Sequence, residues 1–285
     1  MTLTSDKSFK ENLRLPSDLA QIFTVAKYDA FKHLRSKRLL GIVAIIALLI
    51  IVNLVLPPAL GEDYADSPTD FASGFIGMMP TLIIIIATLF AGDAIVSEFQ
   101  GRTGYLLFPN PVKRSSLYIG KMASAIGLGA LLVALYYVVT FVLTFAVTGE
   151  TTALLVWSML LAFIYTAAAI AVGFMISSFM KGSTGALILT FALLFMILPM
   201  ISGIMSMTDF KPEFELTFQA NSVSYMLEDP YPVDSKEVME ISEGQTMTIW
   251  YYYPQPWIAA GVMSLYAVVA AALGYIGFKK REMVS

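Results

Sequence analysis

Six stretches of this sequence run for 22 or more residues without a single Asp, Glu, Lys or Arg: 39–60, 71–92, 122–149, 151–180, 182–208 and 249–278. As a helix, the shortest is about 33 Å long at ~1.5 Å per residue, enough to cross the apolar core of a bilayer. A backbone in lipid must satisfy its own N–H and C=O groups, so a chain with six such stretches is confined to a bundle of spanning helices. Only Glu150 separates the third stretch from the fourth, and only Lys181 the fourth from the fifth. Such short connections make antiparallel neighbours. Just 14% of the residues are charged, well below the roughly one quarter of a soluble domain.

The placement of charge sets an orientation. Segments 1–38, 93–121, 181 and 279–285 hold 16 of the 18 Lys and Arg; the alternate segments hold only Lys211 and Lys236, with 14 of the 21 acids. Basic loops stay on the cytoplasmic side, so both termini are expected there, in a multi-pass protein of the cell (plasma) membrane. The polar start, residues 1–16, shows no short apolar core before small residues, and no cleavable signal peptide is expected. From Ser17, apolar residues recur at Leu19, Ile22, Phe23, Ala26, Ala30 and Leu34 with Lys32, Arg35, Lys37 and Arg38 off that face or at its end. This spacing predicts an amphipathic helix within 1–38 that lies along the cytoplasmic leaflet.

The fold class expected is therefore an all-α integral membrane protein. Spans cover 39–60, 71–92, 122–149, 151–180, 182–207 and 249–278, with a cytoplasmic elbow at 93–121, an acidic outer segment at 208–248 and a tail at 279–285. The outer segment is too long for a turn and too aromatic for a plain linker, and short helices or a small cap are expected there. The run Trp250–Trp257 reads as an aromatic belt at the outer end of the sixth span.

Several chemistries are disfavoured. There is no cysteine, which excludes disulfides and thiolate sites, and His33 is the single histidine. No charged residue falls inside the six charge-free stretches, whereas ion-coupled carriers keep ionisable groups at membrane depth. No phosphate loop occurs, since Gly120-Lys121 lacks both an upstream glycine and a following Ser or Thr. The energy for uphill transport would have to come from another chain. Asn53, Tyr136, Tyr137, Ser158, Tyr165, Ser177 and Ser178 are the notable polar side chains of the spans, read as helix–helix hydrogen-bonding groups.

Segment 93–121 carries two prolines, Pro109 and Pro111, which stop a helix continuing from the second span. Ser115 or Ser116 is placed to cap a new helix running through Lys121 into the third. The residues Glu98, Thr103, Leu106-Leu107, Pro111-Val112, Arg114 and Gly120-Lys121 resemble the first cytoplasmic loop of the ABC-2 type permeases, the membrane subunits of one class of ABC transporter. Residues 91–98, AGDAIVSE, are similar to the membrane subunit of the nitrous-oxide-reductase maturation transporter. Residues 27–40 resemble the basic helix that enters the first span of these permeases, and 277–282 resemble the way they end. The sequence departs in having Gly101-Arg102-Thr103 where the family places Gly directly before Thr, and in adding Pro109.

The resemblance implies a permease that binds two copies of an ABC ATPase subunit through this elbow and pairs with a second permease, identical or homologous. Glu98, Gly101, Arg102, Thr103, Pro109, Pro111, Arg114 and Lys121 would carry the coupling. ATP and magnesium would sit in the ATPase, with no cofactor, metal or catalytic residue in this chain and no nucleic-acid partner. Export of an amphipathic or hydrophobic substrate is expected, at a site the residues do not reveal. Two alternatives stand. One is a permease serving copper-site maturation, with Met200, Met205, Met207, Met226, Met239 and Met247 as soft ligands. The other is a non-transporting scaffold whose elbow recruits a soluble partner.

Overall fold

The computed structural model describes residues 17–100, 113–242 and 245–281. Helix α1 covers Asp18–Leu34. The first long apolar helix, α2, is Lys37–Ala59. The second is broken into α3 (Pro68–Ile76), α4 (Met79–Ala91) and α5 (Val96–Gln100). Next come α6 (Arg114–Thr148) and α7 (Leu154–Phe179). The fifth comprises α8 (Ser183–Ala192), a π-helical turn at Leu193–Ile197 and α9 (Leu198–Met205). Short helices α10 (Leu216–Ala220) and α11 (Ser222–Tyr225) precede a hairpin of β1 (Ser235–Ser242) and β2 (Gln245–Tyr251), and α12 is Pro256–Lys280. Among the described residues six helical runs are long and apolar enough to cross a membrane. The protein is a mostly helical integral membrane protein, as its charge-free stretches require.

Local chemistry sets the ends of these elements. Ser17 caps α1, its hydroxyl accepting from the Ala20 N–H, and Asp18 and Lys32 lie at the ends that the helix dipole favours for their charges. Ser36 caps α2 through the Leu39 N–H. Gly149 ends α6 in the left-handed region, at a φ of 75°. That conformation costs a glycine little, because it has no Cβ to clash. Pro256 opens α12, where its missing N–H has no intrahelical partner to lose.

The fourth helix, α7, is the central element, packed against α4, α6 and α12 with Ala168, Ala169, Gly173 and Phe174 buried. Small residues let the backbones close. A Cβ on Gly173 would stand 2.8 Å from the Ala91 Cβ. Of the polar groups in the spans, Tyr136 donates to the Phe75 carbonyl at 2.8 Å. Tyr137 and Ser158 share a 2.7 Å hydrogen bond, and Ser158 also donates to the Val223 carbonyl at 2.6 Å. Ser177 accepts from Ile95 and Val96. Asn53 and Ser178 instead bond back to carbonyls of their own helices, and the buried Tyr165 hydroxyl has no hydrogen-bond partner among the described residues.

Three expectations change. The acidic segment 208–248 holds two short helices and also an antiparallel hairpin, in which Ser235 faces Tyr251 and Ser242 faces Gln245. The sixth long helix therefore starts at Pro256 rather than at 249. Ile249, Trp250 and Tyr251 are strand residues, and the Trp250 N–H donates to the Ser206 carbonyl at 2.7 Å. Pro254 and Pro256 also disfavour helix at the residues before them. The third starts at Arg114 rather than at 122, and neither Ser115 nor Ser116 caps it. Lys113 holds the capping position with no side-chain cap bond, its N–H donating at 3.0 Å to the Gln21 side chain of α1.

Candidate functional site

The site is built where the basic segments meet the helix ends. Helix α1 turns polar residues inward: Gln21, Asp29 and His33 are buried while Leu19, Phe23, Phe31 and Leu34 are exposed. It lies against the first turns of α6, and the approach is close because Gly120 has no side chain. A Cβ there would stand 2.8 Å from the Ile22 carbonyl oxygen. One residue on, Lys121 places its Nζ 3.1 Å from Asp29 Oδ1 and 2.7 Å from Glu98 Oε1. The Lys121 side chain is only 6% exposed and its partners 8% and 13%, so the ammonium joins α1, α5 and α6 out of water. His33 Nε2 stands 3.3 Å from Asp29 Oδ2, and the exposed Lys32 adds a longer 3.5 Å contact to Glu98.

A second pair lies alongside. Arg38, in the first turn of α2, donates to both oxygens of Asp93 at 2.7 Å and to the Leu89 carbonyl at 3.0 Å. The planar guanidinium suits this two-pronged geometry, which is stronger and more specific than a single contact. Asp93 sits in the break between α4 and α5. The N–H groups of Ile95 and Val96, which open α5, are held there by Ser177 Oγ at 3.0 and 3.1 Å. A cavity of about 280 Å³ separates the two ion-pair groups, lined among others by Asp29, His33, Arg38, Asp93 and Lys121.

Both roots of the elbow are also tied to helices outside this network. At the first, Gln100 accepts from the Ser183 N–H at 2.9 Å, and the Arg281 guanidinium stacks over the Phe99 ring at 4.3 Å. At the second, Arg114 donates to the Lys279 carbonyl at 3.2 Å, at the end of α12. Lys113 pairs with Asp18 at 2.7 Å, but both side chains are 58% exposed. Pairs that exposed contribute only ~0–1 kcal/mol. The structure thus brings Glu98 and Lys121 into direct contact and sets Arg114 apart, at the start of α6 against the end of α12. Gly101, Arg102, Thr103, Pro109 and Pro111 lie outside the described residues.

Sequence reasoning missed Asp29, His33, Arg38, Asp93 and Ser177 as members of this site. A usable signal existed: Asp29, Asp93 and Glu98 are acids within otherwise basic segments. The helices extend beyond the charge-free stretches and take up ionisable groups at their ends. Lys121 is a buried residue inside α6, and Lys37 and Arg38 begin α2. These ends tolerate charge because each buried ion meets its counter-ion.

The electrostatics of Asp29 give a measurable consequence. Burial alone pushes its carboxyl up, but the hydrogen bond from His33 and the charges of Lys121 and His33 outweigh burial and hold it down to about 2. A carboxyl with a depressed pKa contributes stability above its unfolded value near 3.8. That contribution is lost as pH falls from about 4 towards 2 and amounts to about 2 kcal/mol at ~1.4 kcal/mol per unit. Thermal unfolding of wild type and Asp29→Asn between about pH 6 and about pH 2.5 is expected to show the wild-type advantage shrinking only below about pH 4.

The profile of the ABC-2 family transporter proteins matches residues 23–283, from within α1 to beyond α12. The chain belongs to the ABC-2 transporter family. All six long helices, the ion-pair network and both roots of the elbow fall inside the matched region. This makes the chain a multi-pass permease subunit of an ABC transporter, a membrane subunit that works with an ABC ATPase. No curated protein matches the chain, and the narrower likeness of residues 91–98 to the nitrous-oxide-reductase maturation permease gains no support from these comparisons.

Proposed function

We propose that this ABC-2 permease exports an amphipathic or hydrophobic substrate across the cell membrane, driven by two ATPase subunits that engage the elbow at 93–121. The observation that carries this reading is the mechanical continuity of the elbow's roots. The second root enters α6, a single helix of 35 residues, and the first carries Glu98, which meets α6 and α1 through Lys121. Force applied to the elbow would reach the spanning helices directly and would reach α1 through the buried ion pairs. Two permeases, identical or homologous, would line the path, and ATP with its magnesium ion would be held by the ATPase pair. Both termini and the elbow would face the cytoplasm, with Leu19, Phe23, Phe31 and Leu34 of α1 resting in the cytoplasmic leaflet.

The test is co-expression with an ATPase encoded beside this chain, followed by purification and assay of nucleotide hydrolysis in nanodiscs. The ATPase is expected to co-purify in equal stoichiometry. Glu98→Ala and Arg114→Ala should release it, or lower permease-stimulated hydrolysis by about ten-fold, the equivalent of ~1.4 kcal/mol of coupling. If no nucleotide-binding chain co-purifies, or both variants stimulate as wild type does, the elbow is a plain connector and the coupling role fails. A recruiting scaffold would give partner binding without nucleotide-dependent change, so the same preparation separates that alternative.

A further inference from the structure

At the acidic end of the bundle a cavity of about 290 Å³ opens between α4, α7, the fifth helical run and α10. Its walls combine apolar side chains, among them Phe195 and Pro199, with Tyr165, Ser202, Glu215 and Asn221. Two of its polar groups are anomalous. Glu215 is 1% exposed, and its carboxylate accepts from the Ser202 hydroxyl at 2.7 Å, from the N–H and hydroxyl of Thr217 at 2.6 Å each, and from the Phe218 N–H. All four donors are neutral, and among the described residues no Lys, Arg or His pairs with it. Tyr165, fully buried, lines the same cavity, and among the described residues its hydroxyl has no hydrogen-bond partner. The Glu215 carboxylate, which caps α10, has its hydrogen bonds made but meets no cation among the described residues, whereas the Tyr165 hydroxyl leaves free energy unrealised until a ligand supplies its partner.

We propose that this cavity binds a cationic amphiphile, its protonated amine facing Glu215 and Tyr165 and its apolar chain lying along Phe195 and Pro199. The ammonium would supply the charge Glu215 lacks, and one of its N–H groups would be accepted by the Tyr165 oxygen. The volume is near the lower end of small-molecule sites, enough for a head group and a short alkyl segment. The surrounding segments hold 14 of the chain's 21 acids and two of its 18 bases. Such a balance makes a field that concentrates cations. Phe195 belongs to the π-helical turn Leu193–Ile197, a kind of turn that recurs where helices are adapted to a ligand. As a cargo class this inference rests on the permease reading above.

The experiment is equilibrium binding of radiolabelled octylamine to the full chain in zwitterionic nanodiscs, with octanol and octyl sulfate as competitors and no ATPase present. Saturable binding is expected, with octylamine displacing the label about ten-fold or more better than either competitor, as loss of a buried charge partner implies. Glu215→Gln should abolish saturable binding. Tyr165→Phe should weaken it several-fold at an unchanged or higher melting temperature, because the removed hydroxyl has no partner to lose. This second variant decides the matter if the first does not fold. Non-saturable binding, equal competition by octanol, or wild-type affinity in Tyr165→Phe overturns the proposal. Binding that holds while ATPase coupling fails leaves a ligand site without the transport reading. Coupling without octylamine binding removes only the cargo class.

Discussion

Replacing Lys121 with methionine is expected to cost about 3–5 kcal/mol, the usual penalty for breaking a buried ion pair from one side. The substitution keeps most of the side-chain volume and removes the ammonium that Asp29 and Glu98 share at 3.1 and 2.7 Å. Two carboxylates then lose their shared counter-ion largely out of water, with His33 beside Asp29 and the exposed Lys32 at 3.5 Å from Glu98. Helix α1 should loosen from α6, and proteolysis at Lys27 or Lys32 should accelerate before the melting transition shifts. Neutralising all three groups, Asp29→Asn with Glu98→Gln and Lys121→Met, should recover most of the lost stability, since the penalty comes from unpaired charge rather than from lost packing. A melting temperature for Lys121→Met indistinguishable from wild type would mean that the pairs do not hold α1 in place. In the permease, the same variants should lower ATPase stimulation in parallel with the release of α1.

The second large effect is expected one residue earlier. Gly120→Ala adds a methyl group that would stand 2.8 Å from the Ile22 carbonyl oxygen and 2.8 Å from the Val25 Cβ, one a backbone atom and the other fixed close to it. Because neither neighbour can rotate away, the helices must separate, at a cost in the ~1–3 kcal/mol range of overpacked interiors. Gly127→Ala, further along α6, is the matched control. Nothing lies within 4 Å of a Cβ there. This change should therefore be neutral or stabilising by roughly 0.5–1 kcal/mol through helix propensity. Thermal unfolding of the pair in identical nanodiscs checks both signs. Equal melting temperatures would remove the close approach of α1 and α6 as a structural constraint.

The alternation of charge between segments was legible because it is a property of composition, and it needs no knowledge of which residues meet. The hairpin at 235–251 was not. Its first strand breaks the apolar alternation with Lys236, Glu237 and Glu240, and the charge-free run from 249 masked the end of the second strand as part of a helix. A closer reading of Thr246, Thr248 and Trp250 at alternate positions would have raised a strand, although the pairing itself depends on Ser235 finding Tyr251. In the site, Glu98 and Lys121 were selected through family resemblance rather than through geometry. The resemblance marked them as elbow residues, whereas the structure shows what each touches.

The sequence by itself determined that this chain is a six-helix membrane protein with one basic and one acidic end, because bilayer thickness and the cost of burying charge act on each segment separately. Only the tertiary structure decided that Asp29, Glu98 and Lys121 form one buried cluster, since Lys121 lies 92 residues from Asp29 and 23 from Glu98 along the chain. It likewise decided that Glu215 would be buried with neutral donors alone and that Tyr165 would line the same cavity. Ion pairing and cavity formation depend on distances of a few ångströms between helices that are independent in sequence, and those distances are set by the packing of small residues such as Gly120 and Gly173.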